Sequence, residues 1–595
     1  MIENLLPLLK STFGFTAFRG VQDKVLTRVM NRKNTLAIMP TGAGKSLCYQ
    51  LPAMANEGTV VVISPLIALM HDQLRGAEAV GIRAATLTSA DSNRAETIER
   101  LRAGELDLLY AAPERASGDH FRDLLEQARI SLFAIDEAHC VSEWGHDFRP
   151  DYRSLRPLLD HFSDVPRLAL TATADRHTRD DILVQLGIEQ EGLIIAGFDR
   201  PNIRYHISPR TGLARQTADL VERIAGPGII YAPTRNATEK MAAQIARTGR
   251  SARAYHAGLP AEVRQRNQAD FVASEDMVMV ATIAFGMGID KPDVRFVAHA
   301  GLPKSIEAYY QETGRAGRDG DPAEAHMFWG AEDFARARQR LSEVDETRLA
   351  SERTRLAALG GLVEAAGCRR AILLRHFGEE PPQSCGNCDN CLNAPVTRNV
   401  TELARKFLSA VYRTGQSFGV GHLEAVLTGK QEDKVLSRGH DRLSVFDIVD
   451  AEEASLIKPV SRSLLLRDAL RNTEHGGLMF GPEARAILKG EEEVAIIEPP
   501  VRGRKKRRGG SSPNPVGDPL FDALRAKRME LAQEHGVPPY VIFHDSVLRD
   551  MTGFKPRNLS SLAELPGIGT AKLEKYGASF LAVIQEVTKI QEESV

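Results

Sequence analysis

Eight short apolar runs, spaced by amphipathic stretches, constrain the fold of this chain more than any other feature. TLAIM (35–39), TVVVIS (59–64), LDLLYAA (106–112), LFAID (132–136) and RLALTAT (167–173) form a first series. GIIYA (228–232), MVMVAT (277–282) and VRFVAHA (294–300) form a second. Runs that do not alternate with polar residues read as strands buried on both faces, the condition of a parallel sheet covered by helices. The intervening helical stretches predict doubly wound α/β domains, and the two series predict two lobes divided near residues 200–210. With 595 residues, the chain exceeds one core, and length predicts about four domains.

After Trp329 the pattern turns helical and charged, enters a cysteine cluster, and continues from 396 to 495 as short helices around a Gly-rich centre. A stretch rich in Arg, Lys, Gly, Pro and Ser follows, EPPVRGRKKRRGGSSPNPVGDP, whose composition forbids a packed core. The last ~78 residues regain helical periodicity. No solenoid repeat is present. The net charge of −2 excludes a global positive field, so binding to a polyanion requires local patches. The amino terminus lacks a basic region followed by a long apolar stretch. The most apolar stretch, Thr59 to Met70, contains Ser64 and Pro65 and is too short for a bilayer. Four of six cysteines fall between Cys368 and Cys391, which suggests metal in a reducing compartment. The expectation is a soluble intracellular protein.

MPTGAGKSLCYQ (39–50) follows the first strand and opens a helix. TGAGKS, residues Thr41, Gly42, Ala43, Gly44, Lys45 and Ser46, resembles a P-loop. Small residues let backbone N–H groups wrap phosphates, Lys45 can reach the β- and γ-phosphates, and Ser46 can ligate Mg²⁺. The first glycine of the usual pattern is Met39 here. LFAIDEAHC (132–140) ends a strand in two acids: Asp136 is placed to hold Mg²⁺ and Glu137 to orient or deprotonate the attacking water. QETGRAGRDG (311–320) offers Arg315 and Arg318, three residues apart and expected on one helix face, as positive charge for the γ-phosphate.

These residues resemble superfamily 2 helicases, and the RecQ family in particular. FGFTAFRGVQ (13–22) is similar to the RecQ adenine-binding motif, which implies that Phe15 stacks on adenine while Arg19 and Gln22 read its edge. The proline–glycine pair usual before the glutamine is Gly20–Val21 here. VVISPLIALMHDQ (61–73), YAAPER (110–115), TATA (171–174), YAPTRN (231–236), YHAGL (255–259) and ATIAFGMGIDKPDVR (281–295) continue the family motifs in order. CVSEWGHDFRPDYR (140–153) resembles the aromatic-rich loop of the family. Trp144 and Phe148 offer stacking faces beside Arg149, and the interleaved Glu143, His146 and Asp147 disfavour a buried apolar face. Stacking on an aromatic is worth ~1–3 kcal/mol per base, and adjacency to Asp136 and Glu137 would couple strand contact to hydrolysis.

Sixteen residues separate Cys368 from CGNCDNC, which supplies Cys385, Cys388 and Cys391. Four thiolates can close a structural zinc site or hold an iron–sulfur cluster; the resemblance implies zinc. Polar Asn387, Asp389 and Asn390 argue against burial of the cluster. Cys48 and Cys140 read as packing residues. TGQSFGVGHLEAVLTGK (414–430) and GHDRLSVFDI (439–448) resemble a RecQ winged-helix domain, which would dock duplex DNA through its phosphates; beyond Ile448 the segment is compressed. RGRKKRR (502–508) reads as a solvated linker or a salt-sensitive phosphate contact. Residues 521–551 and 562–581 resemble an HRDC domain, and LPGIGTAKLEKYG (565–577) a helix–hairpin–helix clamp. By that resemblance Tyr540, just after Pro538 and Pro539, and Lys572 contact nucleic acid.

The expected fold is α/β: RecA-like lobes at 1–203 and 204–333, a helical zinc subdomain at 334–395, a winged helix at 396–495, a basic linker at 496–516 and an all-α HRDC domain at 517–595. The resemblance implies an ATP-dependent DNA helicase of repair and recombination, moving 3′→5′, with Mg²⁺ and Zn²⁺ as cofactors. It implies DNA, ATP and a single-stranded-DNA-binding protein as partners, in a cytoplasmic, nucleoid-associated setting. An RNA helicase shares the motor motifs, and a scaffold that has lost turnover shares the binding modules; intact Lys45, Glu137 and Arg318 oppose the latter.

Overall fold

The computed structural model describes residues 4–88, 91, 93–142, 148–285, 291–342, 344, 346–473, 477–497 and 518–593. The first sheet contains β1 (Thr35–Ile38), β2 (Thr59–Ile63), β3 (Ala84–Leu87), β4 (Leu108–Ala111), β5 (Ile130–Ile135), β6 (Arg167–Thr171) and β7 (Leu193–Ile195). These seven strands are all parallel, in the order β3-β4-β2-β5-β6-β1-β7. The second sheet contains β8 (Ile203–Pro209), β9 (Gly228–Tyr231), β10 (Ala252–Tyr255), β11 (Val278–Ala281), β12 (Phe296–His299) and β13 (Ala323–Trp329). Its six strands are also parallel, in the order β10-β11-β9-β12-β13-β8.

The continuous apolar runs are explained by burial on two faces. Val61 and Ile63 of β2 pack with Ile38, Phe133 and Ile135 on one side of the first sheet. Their neighbours Val60 and Val62 pack with Ala37, Leu132 and Ala134 on the other. The second sheet repeats the alternation, with Ile230, Val280 and Phe296 on one face and Ile229, Met279 and Val297 on the other. At ~25 cal/mol per Å² of apolar surface removed from water, these faces are the main stabilising term. Because the strands are parallel, the segments after β1 and β5 leave the first sheet at one edge, separated only by β6. That edge is where an open α/β sheet places ligands.

The core of the first lobe continues through Tyr205, Tyr309 and Trp329 to Leu362, Leu374, Phe377 and Cys388, so the cysteine segment packs on the second sheet. A separate core around Phe407, Leu427, Ile457 and Leu464 organises residues 397–497. There a two-stranded antiparallel hairpin pairs Leu470–Asn472 with Leu478–Phe480. Leu524, Phe543, Leu548 and Phe580 centre a last all-helical core. Among the described residues, no helix is long and apolar enough to cross a membrane.

Candidate functional site

The loop 40–46 leaves β1 and enters the helix Leu47–Ala55. It is braced from outside: Gln22, almost fully buried, donates Nε2–H to the carbonyls of Ala43 (3.0 Å) and Gly44 (3.3 Å) and accepts from the Arg19 amide (2.8 Å). Arg19 itself lies over the Phe15 ring, 5.2 Å from its centroid. Lys45 donates Nζ to the Met39 carbonyl at 3.2 Å. Phe15, Arg19, Gln22, Thr41, Gly42, Ala43, Gly44, Lys45 and Ser46 line one cavity of about 530 Å³, together with Asp136 and Glu137 from the first lobe and Arg315 and Arg318 from the second. That volume falls in the range of small-molecule sites.

Asp136 and Glu137 leave the end of β5. Glu137 adopts φ +50°, a left-handed conformation rare outside glycine and concentrated at functional sites. Burial, reinforced by the charge of Glu137, raises the Asp136 carboxyl to about 7, against the pull of Lys45. His139, fully buried, bonds Thr171 at 2.9 Å and lies 3.3 Å from Glu137, tying the acids to the end of β6. Tyr152 donates to the Asp136 carbonyl at 2.9 Å. The sequence reading missed both; His139 sits inside the quoted acid motif, so a signal for it was present. Cys48 and Cys140 are fully buried, and burial pushes the Cys48 thiol up to about 12, as expected of packing residues.

The helix expected to carry Arg315 and Arg318 instead ends at Thr313, and both arginines lie on the turn 314–320. Gly317 shapes that turn. Its φ is +56°, and a Cβ there would meet Asn202 Nδ2 at 2.5 Å. Arg315 is nonetheless buried, and the Arg318 side chain packs over Gly42.

Trp144 and His146 lie outside the described residues. Phe148 and Arg149 begin the next described segment. The Arg153 guanidinium lies 5.3 Å from the Phe148 ring centroid, and Arg149 is fixed by its backbone N–H to Cys140 O (2.9 Å) and by its side chain to Pro65 O (2.9 Å). That anchor sets the far end of the loop beside the acid motif.

The docking of the last helical domain sets Lys572 and Tyr540, both expected at nucleic acid, against the two lobes. Lys572 lines the cavity of Lys45 and Arg318, with His544, Val547, Asp550, Pro566 and Gly567. Tyr540, second residue of the short helix Pro539–Ile542, faces Lys291, Pro292 and Asp293 of the second lobe. The hairpin 566–569 lies on the first lobe: Gly567 N–H donates to Gly14 O at 3.0 Å, and a Cβ on Gly569 would fall 2.3 Å from Thr12 O. On the second lobe Arg528 pairs with Glu275 at 2.9 Å and Arg549 pairs with Asp321.

The four cysteine sulfurs, Cys368, Cys385, Cys388 and Cys391, all lie within 4.8 Å of one another. Cys385–Cys391 and Cys368–Cys388 are 3.9 and 4.0 Å apart. Tetrahedral ligation at a Zn–S bond of about 2.3 Å requires sulfurs about 3.8 Å apart, so the donor set fits zinc. Backbone N–H groups of Ala371 and Asn387 point at Cys368 and Cys385 Sγ, each at 3.4 Å. The expectation that polar neighbours argue against burial holds for half of the cluster: Cys385 and Cys391 are half-buried, whereas Cys368, Cys388 and Asn390 are buried. Those neighbours satisfy backbone groups instead. Asn390 donates to Ala365 O (2.7 Å) and Gly367 O (2.8 Å), and Asp389 accepts from Ile207 N–H (2.9 Å).

Family models match along the chain. They are a DEAD/DEAH box helicase domain at 19–182, a helicase conserved C-terminal domain at 214–320, RecQ zinc-binding at 331–392, an RQC domain at 394–505 and an HRDC domain at 518–584. The ATP-dependent DNA helicase RecQ of Haemophilus influenzae is 41% identical over 591 residues, covering 98% of this chain and 96% of that protein. The proteins of the same name from Pasteurella multocida and Bacillus subtilis are 39% and 38% identical, each covering 99% of this chain and 94% and 100% of their own length.

Proposed function

This chain belongs to the RecQ family of ATP-dependent DNA helicases, and from that premise we propose that it hydrolyses ATP between its two lobes to move 3′→5′ along a DNA strand and unwind duplex. One observation carries the reading. Lys45, Asp136 and Glu137 from the first lobe and Arg315 and Arg318 from the second line a single cavity, so a nucleotide there is completed only by both lobes.

In this reading Phe15, Arg19 and Gln22 hold the adenine, and the backbone of residues 41–46 with Lys45 holds the phosphates. Glu137 orients the attacking water, and Arg318 faces the charge that develops on the γ-phosphate, with Arg315 beside it. Ser46 and Asp136 suit a hard cation, and Mg²⁺ held there would neutralise phosphate charge; the raised Asp136 carboxyl fits a site that wants positive charge. Lys572 belongs with the nucleotide rather than the DNA. Trp144, His146, Phe148 and Arg149 are the DNA-responsive loop, and residues 397–497 engage the duplex backbone. Opening a base-pair step costs ~1.4 kcal/mol on average, which a step driven by ATP hydrolysis can meet. The setting is cytoplasmic at the nucleoid, in repair and recombination, and a single-stranded-DNA-binding protein is a further partner expected from family membership alone.

The test is unwinding of 3′-tailed and 5′-tailed DNA duplexes, and of a matched RNA duplex, by wild type and Lys45→Ala. The expected outcome is ATP-dependent opening of 3′-tailed DNA alone, with turnover in Lys45→Ala reduced at least ~100-fold. Wild-type protein that consumes no ATP with DNA present refutes the reading.

A further inference from the structure

Between β7 and β8 the chain crosses from one sheet to the other in about seven residues, and Arg200 stands in that crossing. Its guanidinium makes four hydrogen bonds, all to neutral backbone carbonyls. Nη1 donates to Thr41 O (2.8 Å) and Gly314 O (3.1 Å), and Nη2 to Ala316 O (3.0 Å) and Gly317 O (2.8 Å). Thr41 belongs to the phosphate loop, and the other three carbonyls belong to the turn that carries Arg315 and Arg318. Asn202, two residues on, adds Nδ2–H bonds to Gly317 O and Asp321 O, both at 2.8 Å.

A planar guanidinium offers donors in a fixed fork and cannot be deprotonated in place. The four bonds therefore exist together only when the phosphate loop and the arginine turn stand at one separation. The same separation seats Arg318 over Gly42, where an added Cβ would be 3.4 Å from the arginine's own Cβ. An ordinary brace would bind one element tightly. Arg200 divides its bonds between the two elements that must meet for hydrolysis.

We propose that Arg200 is a positioning residue for ATP hydrolysis: it registers the arginine turn of the second lobe against the phosphate loop of the first, and so sets Arg318 at the γ-phosphate. It touches no substrate itself. The inference rests on the reading of Arg318 as the arginine that completes the site.

The experiment is a double-mutant cycle on the full-length protein, with DNA-stimulated ATP turnover and nucleotide affinity measured separately. A misplacement of about 1 Å can cost ~100-fold in rate, so Arg200→Ala is expected to lower kcat by about that factor while nucleotide Kd changes less than about threefold. Arg200→Lys keeps the charge but loses the fork and is expected to fall between; it carries the test should the alanine variant fail to fold. In an Arg318→Ala background, Arg200→Lys or Arg200→Ala should lower kcat by no more than about twofold further, because residues acting as a unit are not additive. Full multiplicative losses in the double variant overturn the proposal, as does an unchanged kcat or a loss confined to nucleotide affinity. Wild-type turnover in Arg318→Ala alone would instead refute the underlying assignment of the completing arginine.

Discussion

Nucleotide binding should exchange protons with this protein, and the sign of the exchange should reverse with pH. Lys572 lines the nucleotide cavity, and desolvation pulls its ammonium down to about 8 from an ordinary value of 10.5. A polyphosphate in the same cavity favours the charged amine and returns its pKa upward. The free amine takes up a proton only where it had lost one. Uptake is thus about 0.1 proton per nucleotide at pH 7, about 0.5 at pH 8 and about 0.9 at pH 9. Asp136 works in the opposite sense. Its carboxyl stands at about 7, and arrival of a cation requires the ionised form, which releases about 0.5 proton at pH 7 and about 0.1 at pH 8. Net release at pH 7 should therefore become net uptake by pH 8. Calorimetric titration with Mg-ADP in buffers of different ionisation enthalpy reads the proton number directly. Lys572→Gln should abolish the alkaline uptake and leave the release near pH 7. Equal proton numbers at pH 9 for the two proteins would show that Lys572 does not sense the nucleotide.

Three further outcomes follow from other sites. Cys388→Ser should lower bound zinc, measured by elemental analysis, from about one per chain to near none, and should make residues 368–392 sensitive to protease, because a four-thiolate site contributes ~10–16 kcal/mol of apparent folding energy. Gly14→Ala puts a Cβ 2.4 Å from Ile568 N at a backbone φ of +73°; hydrogen exchange should rise at 566–573 while the strands of both sheets stay protected. Trp144→Ala should leave unstimulated ATPase within about twofold and remove its stimulation by DNA, given ~1–3 kcal/mol per stacked base; undiminished stimulation would refute the coupling role of the loop.

What the residues disclosed depended on how local the physics was. The phosphate loop was legible because strand, small residues, lysine and helix are contiguous. All eight apolar runs became strands, because burial on both faces leaves no polar position to interrupt them. The strands without such runs were not read. IRYHISP, β8, is an edge strand whose exposure alternates along its length, and ARAY, β10, is a half-exposed edge at the other side. The end of the helix at Thr313 could have been read from Gly314, Gly317 and Gly320. The four-carbonyl grip of Arg200 could not, since its partners lie more than 100 residues away in sequence. Nor could the bond between Glu307 and His376, which joins the second lobe to the zinc segment at 2.5 Å. Burial works to raise the Glu307 carboxyl, but that bond holds it at about 2.

The last domain faces two demands that it cannot meet at once. Its hairpin and Lys572 line the cavity proposed for the nucleotide, and Tyr540, the residue with a strand-contact role in the family resemblance, faces the second lobe at Lys291 and Pro292. Contact of Tyr540 with a DNA strand therefore requires the domain to leave the lobes. Among the described residues, the bonds that hold it include Arg528 and Arg525 to Glu275, Arg549 to Asp321, and the backbone contact at Gly14. Arg549 is about half exposed, so its pair contributes no more than ~1 kcal/mol, and the Gly567 amide bond adds about as much. Docking over the cavity and contact of Tyr540 with a strand then exclude one another, so a DNA strand that captured Tyr540 would also uncover the cavity.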